Sequence, residues 1–158
     1  MSDKDYKVSE ETRAGRRVET QEVFTPESVV EYMLDRLDPE DFVPLDKNWL
    51  DNSCGNGNLL VGIINRRLAA QPGGRISTEI MDAVMSTTYG TELMEDNVAE
   101  CRQRLYALFV TRYGYNSPKD HNKNLKRIIE RNIVCTDMFE WDYDNWRPKV
   151  KPKQLSLL

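Results

Sequence analysis

A chain of 158 residues, 39% of them hydrophobic, can bury one core, and no apolar run approaches the roughly 20 residues of a membrane-spanning helix. With 22 Lys and Arg against 26 Asp and Glu, the net charge of −4 argues against a generally basic protein that coats DNA. Three widely spaced cysteines without metal-ligand spacing, a single histidine among polar residues (His121), and a charged start without signal-peptide features, Met1-Ser2-Asp3-Lys4-Asp5, point to a reducing, cytoplasmic setting and away from metal or histidine chemistry.

In chain order, residues 1–20 read as a polar, flexible arm carrying Arg13, Arg16 and Arg17. A single domain is expected over 21–147. It opens with Val23-Phe24-Thr25-Pro26, where the Thr25 hydroxyl is expected to cap a helix and Pro26 to take its first position. Val29, Met33 and Leu37 recur every four residues beside Val30 and Leu34, predicting one apolar helical face. Trp49-Leu50 then read as the end of a buried strand. The run Asp51-Asn52-Ser53-Cys54-Gly55-Asn56-Gly57-Asn58 turns sharply into a helix carrying Leu59, Leu60, Ile63, Ile64 and Leu68. Two glycines there allow the backbone to bend and a ligand to lie directly against it. Asp51, at the carboxyl end of the strand, is placed to accept hydrogen bonds from a polar ligand.

Gln71-Pro72-Gly73-Gly74 and an amphipathic insert around Ile80, Met81, Val84 and Met85 lead to Thr88-Tyr89-Gly90-Thr91-Glu92-Leu93, a second strand ending in an acid that can accept the hydroxyls of a ribose. A helix with Val98, Cys101, Leu105, Leu108 and Phe109 on one face follows. The segment from Asp120 to Arg131 has the mixed charge of a solvated helix face. A third strand is expected at Asn132-Ile133-Val134-Cys135-Thr136, followed by Asp137-Met138-Phe139. An Asp at a strand end can accept the amine of an adenine while Met138 or Phe139 flanks the ring.

The glycine-rich run resembles the motif Asp-Pro-x-Cys-Gly-x-Gly-x-Phe/Leu of S-adenosylmethionine-dependent DNA methyltransferases of the adenine-N6 group, with Asn52 where the family commonly has Pro. The Phe24-Thr25-Pro26, Tyr89-Gly90-Thr91-Glu92-Leu93 and Asp137-Met138 segments resemble three further motifs of that family, in order. The resemblance implies S-adenosyl-L-methionine as cofactor, held by Phe24, Thr25, Asp51, Cys54, Gly55, Gly57, Glu92, Leu93, Asp137 and Met138. It also implies an α/β, partial Rossmann-like methyltransferase fold, an open parallel sheet with helices on both faces. Strands near 48–52, 87–92 and 132–136 are expected in the order third, second, first. The first strand would then be an edge, so a second chain, or a second copy, is expected to complete the sheet.

The family's target-base tetrapeptide, Asn/Asp-Pro-Pro-Tyr/Phe, is absent from the sequence, and after Asp137 the chain runs through Glu140-Trp141-Asp142-Tyr143-Asp144-Asn145-Trp146-Arg147-Pro148 into a tail, 148–158. No catalytic residue is therefore assigned. Two function classes stand open: the cofactor-binding part of a split DNA adenine-N6 methyltransferase that needs a second chain, or an inactive methyltransferase-like module serving replication or restriction machinery, reaching DNA directly or through another protein. The end of the tail, Gln154-Leu155-Ser156-Leu157-Leu158, resembles the peptide by which bacterial replication and repair proteins dock on the β sliding clamp. Gln154, Leu155, Leu157 and Leu158 are its candidate contacts.

Overall fold

The computed structural model describes residues 24–74 and 76–150. The arm at 1–20 and the peptide at 154–158 lie outside the described residues.

Helix α1, Glu27–Leu34, begins behind Pro26, which occupies the N-cap in an extended conformation with no side-chain cap. Contrary to the sequence expectation, Thr25 does not cap the helix and Pro26 is not its first residue. Thr25 contributes its carbonyl instead, which accepts a 2.7 Å hydrogen bond from Asn58 Nδ2. The apolar face of α1 also divides: Val30 and Leu34 are buried, whereas Val29, Met33 and Leu37 remain exposed. Helix α2, Asn58–Ala69, decides the matter at Gly62, where an added Cβ would lie 2.7 Å from Val30 Cγ1 and 2.8 Å from Leu34 Cδ1. The two helices approach closely through that gap. A 3-10 turn at Pro39–Phe42 then stacks Phe42 on Trp49, ring centroids 4.9 Å apart.

Three short strands, β1 (Trp49–Asp51), β2 (Thr88–Glu92) and β3 (Ile133–Cys135), form a parallel sheet in the order β1-β2-β3, as the sequence predicts. Helices α2 and α3 (Thr78–Ser86) make the first crossover. The second consists of α4 (Glu95–Ala107), a π turn at Leu108–Arg112, and α5 (Lys123–Asn132).

Pairing places Gly90 beside Asp51 and Ile133, while Leu50 lies beside Tyr89 and Thr91 beside Val134. The Gly90 face carries the helices. An added Cβ on Gly90 would lie 3.0 Å from Leu60 of α2, and Ile133 shares one core with Val98, Cys101 and Leu105 of α4 and with Leu125 and Ile129 of α5. The opposite face carries aromatics from a hairpin, β4 (Trp141–Asp142) paired with β5 (Arg147–Pro148). Trp146 meets Tyr89 edge-on at 4.6 Å between centroids, and the Tyr143 hydroxyl is 3.5 Å from that of Thr91.

This corrects the expectation of helices on both faces: among the described residues, the hairpin takes the place of a second helical layer. Two right-handed crossovers running in the same direction put their helices on the same side of a sheet, which accounts for the arrangement. The hairpin ends at Pro148, paired with Trp141.

The foot of the sheet is closed by side chains. The last carbonyls of a helix have no partner within it. Those of α3 are met by Thr87 Oγ1 on Ala83 O (2.9 Å), Thr88 Oγ1 and Arg67 on Val84 O (2.7 and 3.0 Å), and Asn132 Nδ2 on Met85 O and Ser86 O (2.8 and 3.1 Å). Arg67 is fully buried, and its guanidinium also donates to Thr88 Oγ1, Thr87 Oγ1 and the carbonyls of Pro44 and Leu45. Burial pushes it down to about 10, still far enough above neutrality to keep it charged.

Candidate functional site at the carboxyl end of the sheet

The turn after β1 depends on two glycines in left-handed conformations, Gly55 (φ 52°) and Gly57 (φ 89°). A Cβ on Gly55 would come within 3.2 Å of the Phe24 ring, so Phe24 lies directly over the turn. A Cβ on Gly57 would come within 2.7 Å of Cys101 Sγ, so this peptide can pack on α4 only as glycine. The turn is also tied down from outside. Arg104 donates to Asn56 O at 2.7 Å and Asn58 Oδ1 at 2.8 Å, and Asn56 Nδ2 donates to Glu100 Oε1 at 3.2 Å.

Glu92 ends β2 beside this turn. Its Oε2 accepts from the Gly55 amide and its Oε1 from the Met94 amide, both at 2.9 Å. A carboxylate offers about four lone-pair sites, so acceptor capacity remains for hydroxyl donors. Asp51 lies beside it. Its Oδ1 accepts from the Ser53 amide at 3.2 Å. Burial above all raises the Asp51 carboxyl from its ordinary value, the Ser53 amide opposes that, and the charge of Glu92 adds to it. This end of the sheet thus combines two carboxylates with an aromatic ring. These groups suit a polar ligand with hydroxyl or amine donors and one flat or apolar part.

Cys54 is buried. A hydrogen bond with the Cys101 thiol, and then burial, hold its own thiol well above the usual range, so it is protonated at neutral pH and is no nucleophile. Its part is packing: Cys54 Sγ would lie 2.9 Å from a Cβ on Gly90. Asp137 and Met138 follow β3 at the same end of the sheet. Asp137 is exposed, and its Oδ1 caps a 3-10 turn by accepting from Phe139 N at 2.8 Å. Leu93 is 66% exposed and points away from the core.

The structure therefore gathers Phe24, Asp51, Gly55, Gly57 and Glu92 closely. It places Thr25 at the turn through its carbonyl, uses Cys54 as a core residue, and sets Leu93, Asp137 and Met138 on the neighbouring rim. The pins from Arg104 and Glu100 leave no local mark in the sequence, because each lies more than 40 residues from its partner.

Comparison with known proteins identified no matching family model, curated protein or solved structure. Among the described residues no group of His, Cys, Asp and Glu could hold a metal ion, and no helix is long and apolar enough to cross a membrane.

Proposed function

We propose that the chain binds S-adenosyl-L-methionine at the carboxyl end of its sheet and is the cofactor-binding part of a DNA adenine-N6 methyltransferase whose target-base motif lies on a second chain. The reading rests on one observation above all: the acid ending β2 and the glycine turn ending β1 meet directly, Glu92 Oε2 to Gly55 N, under the Phe24 ring. A ribose lying there would find the Glu92 carboxylate, and Asp51 would take a donor at the turn. The cofactor would supply the methyl group, while the residues of this chain bind and orient it.

The β1 edge supports the need for a partner. Among the described residues β1 pairs only with β2, which leaves the backbone groups of its other edge without a strand partner. A strand from the partner would continue the sheet there.

Calorimetry with the purified chain tests the cofactor reading. Glu92→Ala should lower affinity at least about tenfold, and Glu92→Gln, which retains an acceptor for the Gly55 amide, separates ligand contact from turn support. No heat at millimolar ligand from folded protein would overturn the reading for the isolated chain. Tritium transfer from labelled cofactor to DNA should stay at background until a chain bearing the tetrapeptide is added. Transfer by the chain alone, lost in Asp51→Ala, would overturn the split assignment.

The sequence at 154–158 supports a role at the sliding clamp. A peptide covering Pro152 to Leu158 should bind purified clamp with roughly micromolar affinity, lost on Gln154→Ala with Leu157→Ala. Equal retention of clamp by the full chain and by a chain lacking those five residues would reject it.

A further inference from the structure

Asn58 is the first residue of α2, and its side-chain amide is engaged on both sides. Arg104, in the last turn of α4, donates to Asn58 Oδ1 at 2.8 Å, and Asn58 Nδ2 donates to Thr25 O at 2.7 Å. A guanidinium can only donate and a backbone carbonyl can only accept, so a single orientation of the amide satisfies both partners. The same Arg104 nitrogen donates to Asn56 O at 2.7 Å, inside the glycine turn. One cation thus steadies the turn and sets the direction in which Asn58 offers its N–H groups.

The Thr25 carbonyl is the only polar handle of its peptide group, because Pro26 has no amide hydrogen. Immediately before Thr25 stands Phe24, whose ring carbons come within 3.2 and 3.3 Å of the position a Cβ on Gly55 would take. Holding Thr25 O therefore fixes the chain one residue from the ring that lies over the turn. The bond joins positions 33 apart in sequence, tying the start of α2 to the segment that leads into α1.

We propose that Asn58 is a positioning residue of the candidate site: oriented by Arg104, its amide holds Thr25 and thereby seats the Phe24 ring over the Gly55 turn. Affinity for a ligand beside the ring then depends on Asn58 through Phe24. That consequence rests on the cofactor reading, whereas the seat of the ring is a property of the chain alone.

Asn58→Asp separates this role from a purely structural one. The carboxylate keeps an acceptor for Arg104, and a negative charge in the first turn of α2 is favoured by the helix dipole. It has no donor for Thr25 O. Fluorine NMR of the full chain carrying fluorophenylalanine reads the ring directly, with the signal of half-buried Phe24 assigned through Phe24→Leu. In Asn58→Asp the solvent isotope shift of Phe24 should grow toward that of exposed Phe139, while buried Phe42 and Phe109 keep theirs and the urea midpoint does not fall. Arg104→Met, which leaves Asn58 in place but frees its amide to turn over, should move the Phe24 signal the same way. An unchanged Phe24 signal in folded Asn58→Asp would overturn the proposal, as would a change shared with Phe42 and Phe109, which marks general loosening. Calorimetry with S-adenosyl-L-methionine adds the affinity: Asn58→Asp should weaken binding at least about fivefold. The loss should largely vanish when both chains also carry Phe24→Leu, and a fully additive loss there would overturn the proposal. If the parent chain itself gives no heat, the cofactor reading fails, while the response of the ring to Asn58→Asp still decides this inference.

Discussion

Glu92 and Gly55 are 37 residues apart in sequence and 2.9 Å apart in space, and their hydrogen bond closes the carboxyl end of the sheet across two neighbouring strands. Replacing the carboxylate leaves the Gly55 and Met94 amides without their acceptor. Glu92→Ala should therefore destabilise the fold by about 1–3 kcal/mol in urea titrations, and Glu92→Gln by clearly less. Equal losses in the two variants would show that the acceptor is not what matters.

Asp51 should impose a stability cost at neutral pH. Its carboxyl is raised above the ordinary 3.8, mainly by burial. Between that value and the higher folded one, the folded chain binds more protons than the unfolded chain, so stability falls as pH rises through this window. Asp51→Asn keeps an oxygen for the Ser53 amide and removes the charge. Denaturation midpoints should rise relative to the parent at pH 7 and converge with it below about pH 3, where both are uncharged. An Asp51→Asn midpoint below that of the parent at pH 7 would contradict the desolvation argument. Affinity for the proposed ligand should move in the opposite direction to stability.

Gly57→Ala meets two obstacles, the positive φ and Cys101 Sγ at 2.7 Å from the new Cβ. The left-handed backbone alone costs about 1–2 kcal/mol with a side chain present. Cys101→Ala in the same chain should recover the part due to the clash and leave the backbone part. Full recovery in the double variant would mean that conformation is not limiting.

Arg67 is a buried cation held by carbonyls and hydroxyls, with no carboxylate among its described hydrogen-bond partners. Arg67→Met should cost about 3 kcal/mol or more, because α3, the segment before β1 and the start of β2 all lose donors together. Arg67→Lys should fare little better, since one ammonium cannot reach both Val84 O and Pro44 O in the manner of a planar fork. A lysine variant with the parent's urea midpoint would refute that reading.

The glycine turn, the strands and their order could be read from the sequence because each has a local chemical cause: glycine where the backbone must bend, and a short apolar run ending in an acid. The packing face of α1 could not. Val29-Met33-Leu37 and Val30-Leu34 satisfy helical spacing equally well, and the choice is made by the missing side chain of Gly62 on another helix. The hairpin left a turn signature, with Asp142 Oδ1 accepting from Asn145 N. Its destination over Tyr89 is a tertiary matter, and Trp146 adopts a φ of 49° that no propensity would assign to it. In the candidate site, Glu92 was visible as a strand-end acid, whereas its grip on Gly55 was not, because the sequence gives no distance between the two crossovers.

The side-chain closure of the α3 terminus has a dynamic consequence. Val84, Met85 and Ser86 offer their carbonyls to donors from α2, β2 and α5, so opening one of these elements strands polar groups belonging to the others. The amino ends of the strands then open only in the global unfolding event, whereas Leu93, Asp137 and Phe139 stand at the other end with their side chains in water. Amide exchange should be slowest around Thr88 and Ile133 and accelerate toward Glu92 and Cys135 within the same strands. Local openings would then be concentrated where a ligand must enter, while the end that fixes the strands relative to one another keeps its register.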